Sequence, residues 1–76
     1  MLERRGDRAA AIGSYRASIA ADPALPMAYF NLGDGLLSSG LPREAAAAYR
    51  IALELEPANE QARANLLMAE RLATAP

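Results

Sequence analysis

The sequence contains no cysteine and no histidine. Disulfide bridges, thiolate nucleophiles, imidazole bases and nearly all zinc sites are therefore excluded together. It also contains no lysine, so its eight basic residues are all arginines, and nine acidic residues bring the net charge to −1. A balance this even provides no basic surface for nucleic acid and no attraction to an anionic membrane. We expect neither of these as a partner.

Residues that favour β-strands are scarce. Valine is absent, while alanine, leucine, arginine and glutamate, which favour helices, fill most of the chain. No apolar run is long enough to cross a bilayer, and no apolar stretch that would make a signal peptide follows the charged start MLERRGDRAA. We therefore expect one small all-α domain, with a cytoplasmic location as the default.

Proline, glycine and capping residues divide the chain into four predicted helices. Asp7 is expected to cap the first helix, and Asn59 the fourth. Gly40 is expected to end the second helix in the left-handed conformation that glycine tolerates. Short connections favour antiparallel neighbours. The predicted helices cover about residues 8–21, 26–39, 42–55 and 59–74.

The chain resembles itself when it is shifted by 34 positions. The shift aligns residue types that are uncommon in this alanine-rich sequence, and a helix–turn–helix unit repeated at this period is typical of α-solenoids. The informative pairs are Gly6 with Gly40, Tyr15 with Tyr49, Pro23 with Pro57, and Asn31 with Asn65.

One stretch of the chain carries a known motif, formed by Tyr29, Leu32, Gly33, Leu36, Ala45, Tyr49, Ala52 and Pro57. In this order and spacing the segment resembles one tetratricopeptide repeat. The resemblance implies helix–turn–helix repeats of an α-solenoid, with four antiparallel helices and about two repeat units. It also implies that residues 1–76 form a single domain with three parts. These are a partial first repeat (1–25, mainly its second helix), a complete repeat (26–59) and a C-terminal capping helix (60–76).

Three glycines in NLGDGLLSSG raise the alternative of a phosphate-binding loop. A dinucleotide-binding loop would need glycine in place of Ser38 and a preceding strand, and a Walker loop would need a lysine. The resemblance instead places Gly33 inside a helix, where the next helix approaches closely, and Gly40 in the turn. Gly35 has no predicted role. We expect no cofactor.

In the tetratricopeptide family, function usually lies on the concave face formed by the first helix of each repeat. Methionine, phenylalanine and leucine on that face would form an adaptable apolar groove for an extended peptide or a helix. The alternative is that Phe30 and Leu37 pack on a neighbouring helix and leave no open groove. A clamp for a partner's terminal carboxylate is not expected, because Asp34 would repel it. The predicted groove residues are Met27, Phe30, Asn31, Asp34, Leu37, Gln61, Met68 and Arg71.

The two ends of the chain lead to further expectations. Solenoid units do not bury their faces alone, so Ile12, Tyr15 and Ile19 of the first helix should form a partly exposed apolar face. That face could bind a second copy as a homodimer, bind another protein, or belong to a longer array. At the other end Leu67 and Glu70 replace the motif's glycine and leucine, which predicts a terminal helix.

No pair of residues is arranged for general acid–base chemistry, because the carboxylates lie in first helical turns or on different helix faces. We therefore predict a non-catalytic protein–protein interaction module without catalytic, metal or cofactor residues. The partner is a protein or peptide bound in the concave groove. The alternative is a structural module that self-associates through its first helix, or a fragment of a longer scaffold.

Overall fold

A computed structural model describes residues 5–75, and the surroundings of the side chains from residue 9 onward. This part of the chain forms four α-helices and no strand, which confirms the predicted all-α class. Consecutive helices run antiparallel and are joined by short turns. The helices are α1 (Arg5–Ala21), α2 (Pro26–Ser38), α3 (Pro42–Leu55) and α4 (Glu60–Thr74).

Asp7 is not the N-cap of α1, contrary to the prediction. The helix is already formed at Arg5, the first residue that the structure describes, so Asp7 lies within it. Gly6 costs a helix only about 1 kcal/mol relative to alanine, so the helical conformation can continue through it.

The predicted helix caps at the other boundaries are confirmed. Gly40 has a φ of 79°, and its N–H donates to the carbonyl of Leu37 at 3.1 Å. The N–H of Leu41 donates to the carbonyl of Leu36 at 2.9 Å, which completes a Schellman motif. The side chain of Asn59 accepts a hydrogen bond from the N–H of Ala62 at 3.0 Å and caps α4.

The core is built around Tyr49, whose side chain is fully buried. Small alanines let the helices approach closely. The motif residues that are buried are Leu32, Gly33, Leu36, Ala45, Tyr49 and Ala52. Tyr29 lies at the edge of the core, and its hydroxyl donates to the carbonyl of Pro23 in the turn between α1 and α2 at 2.9 Å. The buried core cluster comprises Leu32, Leu36, Ala45, Ala46, Ala48, Tyr49 and Ala69.

Two glycines of α2 mark the places where other helices contact it. A β-carbon on Gly33 would lie 2.6 Å from Cε1 of Tyr49, so α3 approaches on this side, as predicted. A β-carbon on Gly35 would lie 3.1 Å from Cγ1 of Ile12 and 3.6 Å from Cε2 of Tyr15. Gly35, which had no predicted role, therefore lies under α1 where that helix packs on α2.

The helices pack in sequence order: α1 on α2, α2 on α3, and α3 on α4. Both α2 and α4 therefore contact α3, and a hydrogen bond from Asn65 of α4 to Asp34 of α2 joins these two helices directly. Of the helices described, none combines the length and apolar character that a membrane span requires. The predicted groove residues lie on α2 and α4, the two helices that this hydrogen bond joins.

Candidate functional site

The side chain of Asp34 joins three helices at the surface between α2 and α4. Its Oδ1 accepts a hydrogen bond from the hydroxyl of Tyr49, on α3, at 2.5 Å. The same oxygen accepts a hydrogen bond from Nδ2 of Asn65, on α4, at 3.3 Å. The carboxylate is thus fixed in position by one donor from each neighbouring helix.

The Tyr49 hydroxyl is held in its protonated form. Burial raises the pKa of Tyr49 above its ordinary value of 10.0, and the hydrogen bond to Asp34 and the negative charge of that carboxylate raise it further. The neighbouring amide of Asn65 acts in the opposite direction and only partly offsets these effects. At neutral pH the hydroxyl is therefore always available as a donor to Asp34.

The second oxygen of Asp34 remains available. Neither of the two hydrogen bonds reaches Oδ2, and no other residue of the described part of the chain donates to it. In that part of the chain no side-chain nitrogen or oxygen is both buried and without a partner, so Oδ2 is open to solvent. Among residues 9–75, whose side chains the structure describes, an ion pair joins Arg50 to Glu70, and no arginine of this range pairs with Asp34. The surface therefore presents an oriented carboxylate oxygen that no described cation neutralises.

Apolar side chains surround this carboxylate along α2. Phe30 and Leu37, one turn before and one turn after Asp34, are half-buried and pack against the core. The ring of Phe30 lies 5.9 Å from the ring of Tyr49 at an interplanar angle of 58°. Met27, which shares their face by its spacing, has an exposed fraction of 59%. Phe30 and Leu37 therefore do pack on neighbouring side chains, while keeping part of their surface open.

The facing side of α4 continues the apolar surface. Met68 lies one turn after Asn65, which bonds Asp34, and its exposed fraction is 55%. Gln61 and Arg71 are also exposed and share the side of Met68 by their spacing. We call this surface the α2–α4 face. It comprises Met27, Phe30, Asp34 and Leu37 of α2, with Gln61, Asn65, Met68, Arg71 and Leu72 of α4.

Spacing and contacts add to the description of the predicted groove. Asn31 lies one turn before Gly35 and by this spacing shares the side of α2 that receives α1. Its repeat counterpart Asn65 makes the contact to Asp34 instead, and the 34-residue shift that aligned the two asparagines was the signal for it. Leu72, four residues after Met68 and 51% exposed, was also not predicted, although its spacing indicated it.

The predicted self-association residues lie on α1. Ile12, Tyr15 and Ile19 are each half-buried and pack against the core cluster. Ile12 and Tyr15 lie over Gly35, so α2 covers part of the apolar face that these side chains form. Apart from Arg16, the more exposed positions of α1 from residue 9 onward carry small side chains or none, among them Ser14 and Ala17.

The outer side of α4 carries the two residues that depart from the repeat motif. Leu67 has an exposed fraction of 55%. Glu70 accepts a hydrogen bond from Nη2 of Arg50, on α3, at 3.0 Å, and both side chains are partly open to solvent. This side of α4 is therefore chemically distinct from the α2–α4 face, with a surface ion pair in place of a core leucine.

Comparison with known families identifies one matching segment. A family model described as "Tetratricopeptide repeat" matches residues 26–59. The segment contains α2, the turn at Gly40, α3 and the cap residue Asn59. No curated protein matches the chain.

Proposed function

The chain belongs to the tetratricopeptide-repeat family through residues 26–59, and from this premise we propose that it is a non-catalytic protein-interaction module. Repeats of this family generally mediate protein–protein interactions, and the family is typically without catalysis. The proposed partner is a protein that contributes an extended peptide or a helix. The proposed binding surface is the α2–α4 face.

The α2–α4 face combines exposed, adaptable apolar side chains with one whose orientation is fixed, and this combination supports the proposal. Met27 and Met68 are each more than half exposed, and methionine adapts its shape to different partners. Phe30 is instead held by its contact with the Tyr49 ring, so it offers an aromatic surface whose orientation is already set. A partner side chain would bury apolar area on both.

Met68 and its neighbour Leu67 provide a matched test. Both have an exposed fraction of 55%, but they point in directions about 100° apart around α4. Peptides would be selected from a phage-displayed random library, and the affinity of the most enriched one measured by fluorescence anisotropy. We expect Met68→Ala to weaken binding about fivefold, from the apolar area that the methionine buries. Leu67→Ala should change it less than twofold, and equal effects of the two substitutions would contradict the proposal.

Phe30 is less suitable as the first residue to test. Because its ring packs against Tyr49, Phe30→Ala would also remove a core contact and destabilise the repeat. A loss of binding in that variant would combine a lost contact with a loosened fold. Met27→Ala, which removes a largely exposed side chain, avoids this ambiguity.

Self-association is the second candidate function, supported by the part of the Ile12, Tyr15 and Ile19 face that stays open. A homodimer through this face would bury it. Light scattering at several concentrations would test this: a dimer that dissociates on Ile19→Asp, with helix content retained by circular dichroism, would support it. A folded monomer at all concentrations would contradict it.

The division of the chain also remains a proposal. The matched segment supports a complete repeat over residues 26–59. A partial repeat over 1–25, a capping helix over 60–76 and membership of a longer scaffold stay predictions, as do the cytoplasmic location and the lack of nucleic-acid and membrane partners.

A further inference from the structure

We propose that the α2–α4 face selects peptides in which an arginine or lysine lies among apolar residues, and that Asp34 receives this cation. The inference rests on the proposed function, because it assumes that the face binds a peptide. It adds the chemical class of the peptide, which the family match does not provide.

The carboxylate of Asp34 has a fixed orientation. Tyr49 and Asn65 both donate to Oδ1, so rotation of the Asp34 side chain would break two hydrogen bonds at once. Oδ2 is therefore held in one direction and remains open to solvent. A ligand cation can bind it without first ordering the side chain, which lowers the entropic cost of association.

No positive charge among the side chains of residues 9–75 compensates the negative charge of Asp34. Both donors to Asp34 are formally neutral, and its carboxylate forms no ion pair with any arginine of residues 9–75. The carboxylate is also half-buried beside Phe30 and Leu37, where water screens its charge less than at an open surface. A guanidinium or ammonium group would make a charge-assisted hydrogen bond there.

The rest of the α2–α4 face is mostly apolar. Asp34 is its sole carboxylate, and Arg71 is its only other charged residue. The remaining members are apolar side chains and the amides of Gln61 and Asn65. A peptide that places a cation on Asp34 therefore has apolar surface on both sides of it, so apolar residues should flank the cation.

The test compares two aspartate variants that remove the same charge. In Asp34→Asn the remaining oxygen can still accept the hydrogen bond from Tyr49, so the core contact is kept. Asp22→Asn is the matched control, since Asp22 lies in the turn between α1 and α2 and its Oδ1 accepts from the N–H of Ala24. A phage-displayed random peptide library would be selected on the wild-type chain and on both variants.

The expected result is enrichment of arginine or lysine beside apolar residues on the wild-type chain and on Asp22→Asn, but not on Asp34→Asn. The most enriched synthetic peptide should bind Asp34→Asn at least fivefold more weakly than the wild-type chain. Replacing its arginine or lysine by neutral citrulline or acetyl-lysine should weaken binding to the wild-type chain by the same factor. This peptide comparison requires no variant of the protein, so it stays decisive even if Asp34→Asn folds poorly.

Different results would contradict the inference about Asp34 and the proposed function. If selected peptides lose affinity on Met68→Ala but show no cation enrichment and no dependence on Asp34, the inference is wrong while the proposed function stands. If no peptide is selected, or binding is insensitive to both Met27 and Met68, the proposed function fails and the inference fails with it.

Discussion

Tyr49 contacts the backbone of Gly33 so closely that a β-carbon at residue 33 would lie 2.6 Å from Cε1 of the tyrosine ring. The two helices can approach this closely because residue 33 has no side chain. The approach also brings the tyrosine hydroxyl to Asp34, the residue after the glycine. The contact that packs the repeat together therefore also orients the carboxylate on the α2–α4 face.

The Gly33–Tyr49 contact predicts opposite effects for the same substitution at two helical glycines. Gly33→Ala gains about 1 kcal/mol of helix propensity but overpacks the Tyr49 contact at a cost of about 1–3 kcal/mol. We expect a net loss of up to about 2 kcal/mol in the free energy of unfolding, measured by urea titration with circular dichroism. The control Gly13→Ala has no heavy atom within 4 Å of the new β-carbon and should stabilise the chain by about 1 kcal/mol. Equal stabilisation by both substitutions would show that the contact is not tight.

The buried Tyr49 hydroxyl predicts a loss of stability at alkaline pH. Because folding raises the pKa of Tyr49 above 10.0, its contribution is fully present below pH 10 and is lost as the pH rises further. Above pH 10 the free energy of unfolding should fall by about 1.4 kcal/mol per pH unit, as the unfolded chain releases a proton that the folded chain retains. Because the chain has no lysine, histidine or cysteine, the other side chains of the type that titrates in this range are its two further tyrosines, and a Tyr49 variant separates their effect.

Tyr49→Phe is the control for this pH dependence. Urea titrations from pH 8 to 11 should show the fall in the wild-type chain and a much smaller one in the variant. The variant should also be less stable at pH 8 by about 1–3 kcal/mol, since Asp34 loses a donor. An identical alkaline slope in both proteins would assign the effect to other groups.

The N-cap of α4 predicts a modest loss on truncation. Asn59→Ala removes the acceptor for the N–H of Ala62 and should cost about 1 kcal/mol, measured as the shift in the urea midpoint at constant slope. Asn59→Asp keeps the acceptor oxygen and should stay within about 0.5 kcal/mol of the wild-type chain. A loss as large for aspartate as for alanine would mean that the amide group, which donates to Glu56, dominates instead.

The ion pair between Arg50 and Glu70 should contribute little. The two side chains are 56% and 41% exposed, and exposed pairs typically contribute less than about 1 kcal/mol. We expect Glu70→Gln to change the free energy of unfolding by less than about 0.5 kcal/mol, and 0.5 M salt to reduce even that difference. A larger loss would indicate that Glu70 has a role in the α3–α4 contact beyond this pair.

Features that depend on residues close together in the sequence could be predicted from it. The four helices, the cap at Asn59 and the left-handed turn at Gly40 follow from local preferences. The buried face around Tyr49 follows from helical spacing and from the resemblance to a known motif. That Asp7 does not cap α1 could not be predicted in the same way, because a cap preference of about 1 kcal/mol competes with the helix propensity of Arg5 and Gly6 before it.

Features that depend on how helices meet could not be predicted. The hydrogen bond from Asn65 to Asp34 joins residues 31 positions apart, and it requires the angle between α2 and α4 and the rotamers of both side chains. The role of Gly35 was missed for the same reason, since spacing alone does not tell which side of α2 receives α1. The sequence indicated the apolar members of the α2–α4 face but not the fixed carboxylate between them.

The binding surface can be tested most directly by NMR of the methionine methyl groups. Two of the three methionines, Met27 and Met68, belong to the α2–α4 face. A chain labelled with ¹³C at the methionine methyl groups would be titrated with the most enriched library peptide. The account predicts that the Met27 and Met68 signals shift together and saturate. A peptide that binds with both signals unchanged would contradict it and move the binding site to another surface.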